Sequence, residues 1–107
     1  MPKKNLPREA VPTLIQERLR GWGLVIRTQR SLQKIRAADL CARLEISEAT
    51  LRRLERGDAG AGAGLYLMAF EVLGVLAELA PTPPKSLWDQ EVKQRVRVPA
   101  READDYF

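Results

Sequence analysis

Arg52, Arg53 and Arg56 fall within five residues, just downstream of Ser47, Glu48, Ala49 and Thr50. A guanidinium is planar, permanently charged and forked, so it matches a phosphate or the O6/N7 edge of guanine with two parallel hydrogen bonds. Four further cations, Arg27, Arg30, Lys34 and Arg36, precede this cluster. The wider charge distribution points the same way. Residues 1–36 hold nine Lys/Arg against two acids, +7, whereas 37–107 hold nine against twelve, −3, for a net charge of +4. A basic N-terminal third suits a polyanion such as DNA, or an acidic partner. The competing account of the same residues is a solvated helix face, with Arg52, Arg53 and Arg56 paired to Glu48 and Glu55 at helical spacing.

Other chemistries are poorly supplied. The chain has no histidine, which removes Ser-His-Asp and Cys-His catalysis and His-ligated zinc. A single cysteine, Cys41, excludes an internal disulfide and fits a reducing compartment. Its place among leucines reads as that of a small core hydrophobe. The glycine-rich stretch 58–64 is not a phosphate loop, because no Lys-Ser/Thr follows it and no strand precedes it; it reads as a flexible connection. Asp104 and Asp105 are adjacent carboxylates with no apolar pocket to tune them. The expectation is no enzymatic activity, no cofactor and no metal. No apolar run approaches the roughly 20 residues of a membrane span, and residues 1–7 contain no apolar stretch of secretory type. A cytoplasmic, nucleoid-associated protein without a membrane partner is therefore expected.

The elements that must position the arginines follow from periodicity and punctuation. Pro2, Pro7 and Pro12 break up residues 1–12, read as a flexible basic arm. Thr13 with Gln16 three residues on has the capping-box spacing that starts a helix. Ile15, Leu19, Trp22 and Ile26 recur at helical intervals and leave Arg18, Arg20, Arg27 and Arg30 toward solvent. Gly21 and Gly23 cost about 1 kcal/mol each relative to Ala in a helix interior, so a break is expected there, with the stronger piece over 24–33. Residues 37–44 form a short helix with Leu40, Cys41 and Leu44 on one face. Glu45 and Ile46 interrupt it, Ser47 caps the next helix with Glu48 in its first turn, and Gly57 stops that helix after 49–56. Two helices this short, joined by so tight a turn, make a helix-turn-helix. Residues 65–79 predict a further helix, apolar on nearly every side, hence buried in the domain or against a second chain. Pro81, Pro83 and Pro84 end it. Beyond them, 87–92 predict a short helix and 96–98 a short strand, before an acidic-aromatic tail.

Residues 24–79 resemble the Cro/CI-type (XRE family) helix-turn-helix proteins and, more narrowly, the HipB-like antitoxins encoded beside HipA-like kinase toxins. Ile26, Arg27 and Arg30 carry the resemblance in the first helix. Leu40, Cys41, Leu44, Ile46, Ser47, Thr50, Leu51, Leu54, Glu55, Arg56, Gly57 and Asp58 carry it through the motif, and residues 63–66 and 72–76 carry it in the later helix. The match covers about half the chain, in register and without gaps. It implies an all-α, lambda-repressor-like bundle of four to five helices over residues 13–80, with the motif at about 37–56. Residues 81–107 would then be an extension that adds a helix or a strand and serves dimerisation or partner binding.

In such a motif the second helix enters the DNA major groove, with its N-terminal residues at base edges. Leu51 and Leu54 pack inward, and Cys41 lies where the two helices cross. Arg53 is the leading candidate for guanine and Arg52 for guanine or phosphate; Ala49 suits a thymine methyl and Glu48 a cytosine amino group. Ser47, with the N–H groups at the helix start, and Thr50, Arg56, Arg27, Arg30, Lys34 and Arg36 are candidate phosphate contacts. One domain makes few base contacts, and two held about 34 Å apart meet successive major grooves. A homodimer on a two-fold operator is therefore expected, with Leu65, Phe70, Leu76, Leu87, Trp88, Val92 and Val96 at its interface. The resemblance adds a HipA-like serine/threonine kinase toxin as partner, and repression of the protein's own operon. A second reading keeps the fold without operator recognition. Ala37 stands where family members often carry a phosphate-gripping Gln, and Glu45 where the tight turn usually carries Gly. Those two differences suit a toxin-neutralising module with weak or no specific DNA binding.

Overall fold

The structure is a computed structural model that describes residues 10–91. The expected strand at 96–98, the acidic tail, most of the N-terminal arm, and the interface positions Val92 and Val96 lie outside the described residues. Among the described residues five α-helices are complete: α1 Thr13–Leu32, α2 Ala37–Leu44, α3 Glu48–Arg56, α4 Ala63–Leu73 and α5 Leu76–Leu79. Short 3-10 turns occupy Ala59–Ala61 and Lys85–Leu87, and no strand occurs among the described residues. The expected all-α class holds, and the arrangement is compatible with a small helix-turn-helix bundle.

α1 runs unbroken through Gly21 and Gly23, so the expected break does not occur. The reason is tertiary. A Cβ at Gly23 would sit 2.5 Å from the Glu55 carbonyl oxygen and 2.7 Å from that of Leu54. Gly57 returns the contact: a Cβ there would meet the Leu19 carbonyl oxygen at 2.5 Å, and its φ of 80° is itself left-handed. α1 and the end of α3 therefore touch backbone to backbone, and the close approach offsets the glycine's poor helix propensity. The capping box is also absent. Pro12 holds the N-cap position, and Gln16 instead donates from Nε2 to the Val11 carbonyl at 2.8 Å.

The core joins all the long helices. Ile26, Leu40, Leu54, Tyr66, Ala69 and Phe70 are fully or almost fully buried, with Cys41, Leu44, Leu51 and Leu73 beside them. Trp22 locks α1 to α4: its ring stands edge-on to Phe70 at 5.0 Å and tilted to Tyr66 at 5.6 Å, geometries that aromatic quadrupoles favour. Phe70 therefore belongs to the chain's own core, which corrects its expected place in a dimer interface.

The predicted helix over 65–79 is two helices. Gly74, at φ 80°, ends α4, with its N–H donating to the Glu71 carbonyl and that of Val75 to the Phe70 carbonyl. This is the Schellman pattern that glycine permits. Nor is α4 buried all round, because Leu67 and Met68 are exposed. The glycine-rich connection is likewise built rather than loose. Asp58 caps the Ala59–Ala61 turn by accepting from the Gly60 N–H at 2.7 Å, and the Tyr66 hydroxyl donates to the Asp58 carbonyl at 2.9 Å. The segment expected to be helical from 87 begins as the Lys85–Leu87 turn, held by Trp88 Nε1–H donating to the Pro83 carbonyl at 3.2 Å.

Candidate nucleic-acid interface

α2 and α3 form the expected pair with the expected boundaries, to within one residue at the start of α3. Between them Glu45 takes a left-handed conformation, φ 57° and ψ 49°, and the Ile46 N–H returns to the Cys41 carbonyl at 3.0 Å. Ser47 is the N-cap: its hydroxyl oxygen accepts from the Thr50 N–H at 3.1 Å, and the hydroxyl donates to Thr50 Oγ1 at 3.1 Å. Thr50 is thereby turned back to the cap and half-buried. Leu51 and Leu54 face the core with Leu40 and Leu44. On the opposite side Ser47, Glu48, Ala49, Arg52 and Arg56 are exposed.

The arginines divide into two groups that the sequence had merged. Arg53, the leading candidate for guanine, donates from Nε to Asp58 Oδ2 at 3.2 Å, and about a third of its side chain is exposed. It bridges α3 to the following turn. Arg52 makes no such pair among the described residues and is exposed midway along α3. Arg30 is likewise not presented as a phosphate contact. Its Nε donates to Glu55 Oε2 at 2.8 Å and its NH1 to the Ile35 carbonyl at 3.3 Å, and only a fifth of its side chain is exposed. Arg36 pairs with Asp39 at 3.2 Å on the open surface, where solvent leaves it available to another anion. Arg27 and Lys34 are exposed.

Electrostatics around Asp58 reflect the same bridge. Burial alone raises its carboxyl pKa, but the Gly60 N–H, the Arg53 hydrogen bond and the charges of Arg53 and Arg56 outweigh burial, and the net direction is down. Burial and the nearby Asp58 carboxylate push the Tyr66 phenol up to about 12. The Cys41 thiol is raised by burial and by Glu48 and Glu55, against Arg30 and Arg52, so little of the reactive thiolate forms at neutral pH.

Of the expected dimer contacts, Leu65 and Leu76 are half-buried within the chain, while Leu87 and Trp88 are 70% and 59% exposed. Sequence reasoning missed Glu55, Asp58 and Tyr66 as the residues that organise the site. Asp58 carried a legible signal, a capping residue directly before small residues. Helical spacing offers Glu55 to Arg52, Arg53 and Arg56, but its partner is Arg30, 25 positions away.

No protein-family model, curated protein or solved structure matches the chain. No helix among the described residues is long and apolar enough to cross a membrane.

Proposed function

We propose that this protein is a sequence-specific DNA-binding transcriptional regulator of the lambda-repressor-like type, acting as a homodimer on a two-fold operator. One observation carries the reading: α3 is capped at Ser47 and anchored through Leu51 and Leu54, so Glu48, Ala49 and Arg52 stand in solvent on its first turns. Those are the positions that meet base edges when the second helix of such a motif lies in the major groove. Arg52 replaces Arg53 as the guanine contact, with Ala49 against a thymine methyl and Glu48 toward a cytosine amino group. Ser47, Arg56, Lys34, Arg36 and Arg27 supply phosphate contacts. The resemblance to HipB-like antitoxins extends the proposal to a HipA-like kinase toxin as partner and to repression of the protein's own operon.

The test is a band-shift series with genomic fragments across a range of salt. Arg52→Ala is expected to cost about 1–3 kcal/mol and relax preference at one base position. Lys34→Ala should weaken binding evenly across sequences and flatten the salt slope. Binding without sequence preference at every salt concentration would overturn the reading in favour of a module acting on a protein partner alone. The exposed Glu45 carboxylate in the turn before α3, which repels phosphate, favours that second reading.

A further inference from the structure

Arg30 and Arg53 are each held by a carboxylate, in different ways. Arg30 uses all three of its side-chain nitrogens within the chain. Nε and Nη2 reach the two Glu55 carboxylate oxygens at 2.8 and 3.5 Å, and Nη1 donates to the Ile35 carbonyl at 3.3 Å. Arg53 uses one. Its Nε donates to Asp58 Oδ2 at 3.2 Å, and Nη1 and Nη2 make no hydrogen bond among the described residues. Asp58 does not close a second bond to the fork; its Oδ1 accepts instead from the Gly60 N–H at 2.7 Å. The outer edge of the Arg53 guanidinium, with its parallel N–H donors, is left open.

The carboxylate behind Arg53 is a fixed one. The Asp58 N–H donates to the Arg53 carbonyl at 3.1 Å, so backbone and side chain tie the same two residues together. The Tyr66 hydroxyl donates to the Asp58 carbonyl at 2.9 Å, and Tyr66 is itself 1% exposed and packed against the Trp22 ring. Arg53 follows Ala49 by four residues and precedes Arg56 by three, which puts the three on one side of α3. Ala49 and Arg56 are exposed there, and so is about a third of the Arg53 side chain. Asp58 follows α3, so the bond draws the guanidinium toward the end of the helix and away from the N-terminal turns that meet base edges.

We infer that Asp58 is a positioning residue for DNA binding: it holds one edge of Arg53 so that Nη1 and Nη2 together take two oxygens of one backbone phosphate. A fork ordered before contact loses less conformational freedom on binding than a free arginine does. The inference rests on the proposed function only in that the phosphate belongs to a DNA duplex.

Charge and positioning predict opposite signs for Asp58→Asn. The change removes an acid from a chain that binds a polyanion, and it keeps a side-chain oxygen for the Gly60 N–H. By charge alone binding should tighten; by loss of the Arg53 mount it should weaken. Band shifts of the full chain on several genomic fragments, over a range of salt, are expected to show about threefold to tenfold weaker binding on every fragment. In an Arg53→Gln background the same change should weaken nothing, because the edge it positions is gone. Arg53→Gln itself should flatten the slope of log K against log salt by about 0.9, the value of one phosphate contact. Asp58→Ser, which also caps, repeats the measurement should the asparagine variant lose helicity. Tighter binding by Asp58→Asn, equal weakening in both backgrounds, an unchanged salt slope, or a loss confined to one base pair overturns the inference. A wild type that binds every fragment alike removes the operator reading, while the variants still decide this contact. A wild type that reads an operator, with Arg53→Gln binding equally well, removes this contact alone. A wild type that binds no fragment removes both.

Discussion

Arg30 on α1 and Glu55 on α3 form the most shielded ion pair among the described residues, with Nε to Oε2 at 2.8 Å and side chains 20% and 13% exposed. The pair sits beside the backbone contact at Gly23, so charge and close packing hold the same joint between the two helices. Arg30 also donates to the Ile35 carbonyl beyond the end of α1. The joint adds to the Gly57–Leu19 backbone approach and to the packing of Ile26 against the Leu51/Leu54 core face in fixing α3 against α1.

Arg30→Ala leaves the Glu55 carboxylate shielded without its partner. The expected loss is about 2–3 kcal/mol, below the full cost of an orphaned buried charge because water reaches part of the pair. A double-mutant cycle with Glu55→Gln, followed by urea unfolding, should show a coupling of about 1 kcal/mol or more. Coupling near zero would reduce the pair to an ordinary surface contact.

Gly23→Ala should destabilise the fold although alanine is the better helix former. The added methyl would lie 2.5 Å from the Glu55 oxygen, and separating α1 from α3 should cost about 1–3 kcal/mol. Gly64→Ala is the control: it is helical, with nothing within 4 Å, and should be neutral or gain up to about 1 kcal/mol. Thermal melts that rank the two variants the other way would remove the close approach as the reason for Gly23.

Lys34 and Glu45 hold left-handed backbones, at φ 60° and 57°, which cost a residue with a Cβ about 1–2 kcal/mol. Glycine removes that cost and returns part of it as unfolded-state entropy. Lys34→Gly and Glu45→Gly should each raise the melting temperature by a few degrees, on the order of 0.5–1 kcal/mol. The alanine variants should not. Glu45→Gly should also tighten DNA binding by removing a carboxylate from the turn before α3.

Asp58 and Tyr66 set opposite pH limits. The folded Asp58 carboxyl lies below its ordinary value, so its contribution is complete above about pH 4 and is lost as pH falls toward the folded pKa. The Tyr66 phenol is raised to about 12; its contribution is complete below about pH 10 and is lost between there and 12. Asp58→Asn should flatten the acid side of a stability–pH curve, and Tyr66→Phe the alkaline side. The Tyr66 variant should also lose about 1 kcal/mol at neutral pH with its hydrogen bond to the Asp58 carbonyl. A wild-type acid limb that Asp58→Asn leaves unchanged would contradict this assignment.

Much of α2 and α3 was legible because local chemistry decides it: Ser47 caps, Gly57 terminates, and the Leu40/Cys41/Leu44 and Leu51/Leu54 spacings face one core. What sequence could not show depends on distant neighbours. Gly21 and Gly23 look alike in sequence, yet one faces open space and the other the carbonyls of α3. The α4 break at Gly74 sits inside an apolar run whose periodicity continues across it. Among the arginines, side-chain type gave a common chemistry, but only the folded positions of Glu55 and Asp58 separate Arg30 and Arg53, which brace the fold, from Arg52, which faces outward.

The two tryptophans occupy contrasting surroundings, Trp22 among the rings of Tyr66 and Phe70 and Trp88 largely in solvent. The chain thus carries two optical reporters of different colour. Iodide should silence the red-shifted Trp88 emission first, leaving a blue band from Trp22 that follows the joining of α1 to α4. Fluorescence can therefore follow melting of the bundle separately from movement of the proline-rich segment beyond α5.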